Sequence, residues 1–129
     1  MIKSGILNPA INSLVSRVRH TNTLIIADRG FPFWPQVETV DISLVDNVPR
    51  VIEVLNSLLP NFSCGRAYIA EEFETHNTPQ ALASLKAALA NIELVCLPHS
   101  ELKKLVPAAT GLIRTGDALP YANIILESA

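Results

Sequence analysis

The sequence predicts an α/β fold, a three-layer sandwich built on a mixed, largely parallel sheet of about six strands. Short apolar runs with β-branched residues recur at strand length, as in LIIA at 24–27 and IELVCL at 92–97. Segments with helically spaced apolar residues alternate with them. The runs are apolar on both sides rather than alternating, which marks strands covered by helices on both faces.

Each element follows in order. Ile11, Leu14, Val15 and Val18 keep i, i+3, i+4, i+7 spacing and predict a helix over 9–19, with Pro9 in its first turn and Asn8 as cap. Residues 24–27 form a buried strand between Asn22 and Asp28-Arg29-Gly30. The stretch RGFPFWPQ at 29–36 holds two prolines and a glycine, so it is a shaped loop. A second strand is predicted over 37–44, where Val37, Thr39, Asp41 and Ser43 alternate with Glu38, Val40, Ile42 and Leu44. The helix at 49–59 carries Val51, Val54, Leu55 and Leu58 on its apolar face.

Residues 66–70 are a strand, and Thr78-Pro79 opens a helix through Ala90 with Asn77 as candidate cap. Strand 92–97, a short helix at 99–105 and strands 112–114 and 123–126 complete the chain. The connection 115–121 is too short for a parallel crossover, so the last two strands, if neighbours, are antiparallel. No repeat or linker divides the chain, which is read as a single domain over 1–129.

The chain is 49% hydrophobic and 17% charged, against about 25% charged in an average soluble protein. That much apolar surface favours a homo-oligomer. With a net charge of -2 and singly scattered Lys and Arg there is no footprint for nucleic acid. No apolar stretch reaches the roughly 18 residues of a membrane span, and the N-terminus lacks the apolar core of a signal peptide, which predicts a cytoplasmic protein. Cys64 and Cys96, without CxxC or framework spacing, read as two reduced, buried thiols.

Ligands of open α/β sheets bind beyond the carboxyl ends of strands, which directs attention to Asp28 and to Glu71 and Glu72. Asp28 alternatively makes an Asx turn. Glu71 and Glu72, as adjacent strand residues, point to opposite faces and suit a two-carboxylate mechanism poorly. His20 is either a helix C-terminal cation or a general acid and base. A single strand would hold it some 15 Å from Asp28 at about 3.3 Å per residue, unless a loop folds back or two subunits meet. His20, His76 and His99 lack metal-ligand spacing, and no GxGxxG, Walker or GxSxG motif occurs. No cofactor or metal is expected. The closing turn, Pro120-Tyr121-Ala122-Asn123, offers a phenol and a carboxamide suited to a neutral polyhydroxyl ligand, or else a buried tyrosine with a backbone-mimicking asparagine.

The run from His20 to Ile25 ending in Asp28 and followed by Gly30-Phe31-Pro32 resembles the D-ribose pyranase and L-fucose mutarotase family. So do YIAEE at 68–72, IRTG at 113–116 and PYANIIL at 120–126, in matching order across nearly the whole chain. The resemblance implies a cytoplasmic, cofactor-free isomerase of a free monosaccharide, most simply D-ribose. It further implies a ring-shaped homo-oligomer, typically a decamer, with its active site at a subunit contact. His20 matches the family's proton donor, and Asp28, His99, Tyr121, Ala122 and Asn123 its sugar-binding positions. Arg29 stands where relatives carry a small residue; it is expected either to pair with a glutamate of the next subunit or to read an acidic sugar. An L-fucose-type mutarotase and a non-catalytic sugar-binding or transport-accessory protein are the alternatives.

Overall fold

Two adjacent strands of opposite direction form the centre of the sheet: β1 (Thr23–Ala27) and β6 (Ile124–Ser128) pair antiparallel, with Ile25 opposite Ile125. The computed structural model describes residues 1–129. Around this pair, β2 (Thr39–Asp41), β3 (Cys64–Ala70), β4 (Glu93–Leu97) and β5 (Gly111–Arg114) complete six strands in the order β2-β5-β1-β6-β3-β4. The pairs β2–β5, β5–β1 and β3–β4 are parallel, and β6 alone runs against its neighbours. The predicted sandwich with a mixed, largely parallel sheet is the observed one. The last two strands are not neighbours, because β1 lies between them; β5 runs with β1 and β6 against it.

The helices are α1 (Pro9–Ser16), α2 (Val51–Leu58), α3 (Glu72–His76), α4 (Pro79–Leu89) and α5 (His99–Lys104). Strand alternation divides the core in two. Leu24, Ile26, Ile124, Leu126 and Ile69 pack beneath α1, α2 and α4, while Ile25, Ala27, Ile125 and Ala70 pack with Leu102, Val106 and Phe31 on the other face. Gly111 is needed where α1 crosses β5, because a Cβ there would lie 2.3 Å from a Leu14 methyl carbon.

Several boundaries differ from expectation. The first helix stops at Ser16, where the Arg17 N–H bonds back to the Leu14 carbonyl and the Val18 N–H to the Val15 carbonyl, each at 3.1 Å. The predicted strand 37–44 is reduced to Thr39–Asp41 because the Asp41 carboxylate accepts from the Ser43 N–H, an Asx turn that ends the extended run. Thr78, not Asn77, caps α4, its Oγ1 accepting from Ala81 N–H at 3.2 Å. The short α3 was hidden within the apparent end of a strand. Cys64 is half-buried and Cys96 exposed on the edge strand β4, so the expectation of two buried thiols fails. No helix is long and apolar enough to cross a membrane.

Candidate functional site

The direction of β6 decides where chemistry gathers. β1, β3, β4 and β5 end at one edge of the sheet, and because β6 runs oppositely, the turn that feeds it reaches the same edge. Asp28 beyond β1, Glu72 beyond β3, His99 beyond β4, Thr115 to Asp117 beyond β5 and Tyr121 to Asn123 ahead of β6 are thereby assembled from residues far apart in sequence. Asp28, His99, Tyr121 and Asn123 line one open cleft of about 410 Å³, the size of a small-ligand site.

Asp28 is almost wholly buried. Its N–H donates to Asn123 Oδ1 at 2.8 Å, and its Oδ1 accepts from the Gly30 N–H at 3.0 Å. The Asx turn and the cleft position therefore coexist. Burial pushes the carboxyl pKa up, partly offset by hydrogen bonds from Gly30, Asn123 and Phe31. Such a poorly solvated carboxyl group seeks a hydroxyl donor.

His99 opens α5, its backbone N–H shared by both Glu72 carboxylate oxygens at 3.0 and 3.1 Å. Burial holds the imidazole pKa below its ordinary value, and the Lys103 ammonium lowers it further against weaker opposite effects of Glu72 and Asp28. Its Nδ1 is buried without a partner. A buried N–H left unpaired is costlier than a bare lone pair, so we assign the neutral tautomer with the proton on Nε2, leaving a donor for a ligand. The ring meets Tyr121 edge-on at 5.1 Å between centroids and lies 6.5 Å from Phe31.

The segment after β5 frames the cleft. Thr115 sends both its N–H and its Oγ1–H to the Ala27 carbonyl, at 2.9 and 2.8 Å. Gly116 lies under the 44–48 hairpin, where a Cβ would approach the carbonyl oxygens of Val45 and Val48 to 2.3 and 2.8 Å. That contact accounts for the glycine of IRTG. Buried Asp117 accepts the Val51 N–H at the start of α2 (2.9 Å) and the Leu119 N–H (2.9 Å), while its carbonyl takes the Arg29 N–H. Arg114 donates to the Phe31 carbonyl and so shapes the loop at 29–36.

Two expected site residues, Ala122 and His20, lie outside this cleft. Ala122 is buried and lines an apolar pocket of about 300 Å³ on the α2 and α4 side of the turn. His20 is exposed in the turn before β1, beyond the end of α1, so it does not sit on that helix's dipole. The full length of β1, five residues and roughly 16 Å, separates it from the Asp28 end. Arg29 borders the cleft, and its Nη1 pairs with Asp46 Oδ1 of its own chain at 2.7 Å, both side chains exposed. Glu71 and Glu72 are not opposed strand residues, since β3 ends at Ala70 and Glu72 begins α3. No group of three or more His, Cys, Asp or Glu is arranged to hold a metal.

Residues that the sequence reasoning missed are Asp117, Lys103, His76 and Glu72 in its capping role. Asp117 and Glu72 carried the same signal that flagged Asp28, an acidic side chain just past an apolar strand. Lys103 follows His99 by four residues on α5, one turn along the same helix face.

Fold and cleft together define an α/β protein with a small polar ligand site at the carboxyl edge of its sheet. The chain belongs to the RbsD / FucU transport protein family, whose model matches residues 1–129. It is 38% identical over 128 residues to the D-ribose pyranase of Lactobacillus gasseri, covering 99% of this chain and 97% of that one. It is 42% identical over 128 residues to the D-ribose pyranase of Chromobacterium violaceum, with the same coverage. Among solved structures, Bacillus subtilis RbsD complexed with D-ribose superposes with TM-score 0.93 at 31% identity, covering 100% of this chain and 98% of that one. The fucose mutarotase of Streptococcus pneumoniae, solved with L-fucose, shares the fold at TM-score 0.81 and 16% identity, over 95% and 93% of the two chains.

Proposed function

We propose that this protein is a cofactor-free isomerase that interconverts the pyranose and furanose forms, and the anomers, of a free aldose, D-ribose first among them. One observation carries the reading. In a chain related over its whole length to D-ribose pyranases, a buried carboxyl, a neutral imidazole, a phenol and a carboxamide from separate segments converge on one cleft of monosaccharide scale.

Ring opening needs a proton delivered to the ring oxygen and one withdrawn from the anomeric hydroxyl. Reclosure through another hydroxyl gives the furanose; reclosure on the opposite carbonyl face gives the other anomer. Nothing is oxidised and no group leaves, so acid and base catalysis suffices, worth about 10²–10⁴-fold. In this account Asp28 accepts from a sugar hydroxyl, His99 Nε2–H donates to one, and Tyr121 and Asn123 fix the sugar's orientation. His20 is the proton donor. Because β1 separates it from the cleft of its own chain, it serves the cleft of a neighbouring protomer, in a cytoplasmic ring-shaped homo-oligomer, a decamer. Ala122 contributes through its backbone and by packing behind the turn.

The test is magnetisation-exchange NMR on equilibrated D-ribose and, separately, L-fucose, with and without catalytic protein. Faster pyranose–furanose exchange of ribose is the expected result. Acceleration confined to fucose anomers would replace the ribose assignment with a mutarotase, and no acceleration of either would refute the enzymatic reading.

A further inference from the structure

The helix α3 is five residues long, too short to be stable by itself, and buries only Phe73. Its polar residues nevertheless engage two of the cleft's ring-bearing residues, His99 and Tyr121. At its start Glu72 holds the His99 backbone. At its end the His76 imidazole lies against the Tyr121 ring, 4.9 Å between centroids and inclined at 52°. Just past it, the Asn77 carboxamide donates to the carbonyls of Pro120 (2.8 Å) and Phe73 (3.0 Å), tying the turn that carries Tyr121 to the helix.

Tyr121 needs such support. Its φ of +59° lies in the left-handed region, which a bulky side chain occupies only when its surroundings enforce it. His76 is itself anchored: its Nδ1 is 3.0 Å from the Glu72 carbonyl, which only accepts, so that nitrogen carries the proton. The same Nδ1 is 2.9 Å from Thr75 Oγ1. The ring is thus held in one orientation while it packs on the phenol, and it does not line the cleft.

We propose that His76 is a positioning residue for the sugar site, fixing the Tyr121 phenol from outside the cleft as part of a brace formed by Glu72, His76 and Asn77. The proposal rests on the reading that Tyr121 touches the sugar. His76 then acts on binding rather than on proton transfer, so its loss raises KM and leaves kcat unchanged.

The experiment compares the full-length protein with His76→Ala and His76→Phe in ribose exchange, and records 19F NMR of each protein labelled with 3-fluorotyrosine. The chain has two tyrosines, Tyr68 and Tyr121, and Tyr68→Phe assigns the resonances. His76→Ala raises KM about two- to tenfold at constant kcat, the range of an aromatic pair, and His76→Phe restores it. The alanine variant also shifts the Tyr121 resonance while that of Tyr68 stays. An unmoved Tyr121 resonance, an unchanged KM, or a phenylalanine variant as defective as alanine would overturn the proposal. A moved resonance in a protein whose wild type catalyses no exchange would sustain the brace and defeat the functional reading alone.

Discussion

Asn123 Oδ1 accepts the backbone N–H of Asp28 at 2.8 Å, joining residues 95 apart in the chain. Asp28 is where β1 leaves the sheet and Asn123 is where β6 joins it, so this bond fixes the two halves of the cleft to each other. The closing turn is docked through this bond and forms one wall of the cleft.

Asn123→Ala leaves the Asp28 N–H buried and unpaired. Chemical denaturation is expected to show a loss of about 1–3 kcal/mol, with sugar binding abolished. A variant of wild-type stability would show that the bond does not hold the cleft together.

The Asp28 carboxyl is buried at the expense of stability. Burial raises its folded-state pKa, so its contribution to stability is fully present below the unfolded-state carboxylate pKa and is lost as pH rises through the folded value. Asp28→Asn removes that loss. Calorimetry across pH should find the variant more thermostable than wild type at neutral pH, with the difference shrinking in acid, and exchange assays should find it inactive. A variant less stable than wild type at neutral pH would contradict the sign.

His99 shows the opposite dependence. Its folded-state pKa is lowered, so its contribution is present above the unfolded-state imidazole pKa and is lost as pH falls through the folded value. Ribose affinity, followed by Trp34 fluorescence, should fall over the same acidic window as the ring takes a second proton. Affinity independent of pH there would show that sugar binding does not depend on the charge of the His99 ring.

Gly116→Ala places a methyl group 2.3 Å from the Val45 carbonyl oxygen, against backbone rather than a movable side chain. A destabilisation of about 1–3 kcal/mol is expected in thermal unfolding. Because residues 115 to 117 also hold β1, α2 and Arg29, sugar affinity should fall with it. Retention of both would show that the 44–48 hairpin yields freely.

The sheet, its mixed direction and most helices were legible because apolar periodicity and Pro or Thr starts are local signals. So were Asp28, His99 and the closing turn, once strand ends and the family likeness were combined. What stayed hidden depends on contacts between distant segments. The partner of Arg29 is Asp46, seventeen residues on, across a loop whose path no local pattern gives. The helix α3 is too short to show a period, so Glu72 read as a strand residue and His76 as an isolated histidine. Asp117 caps a helix that starts 66 residues earlier, a role with no sequence spacing to betray it.

The central claim is that a cleft holding Asp28 is completed by His20 of a neighbouring protomer. The most direct test co-expresses His20→Ala and Asp28→Asn, each inactive alone, as mixed oligomers and measures D-ribose pyranose–furanose exchange by NMR. Shared sites predict recovery on the order of a quarter of wild-type activity, because randomly mixed neighbours restore both groups at that fraction of contacts. Sites built within single chains would always lack one group. Mixed oligomers as inactive as the separate variants would contradict the account.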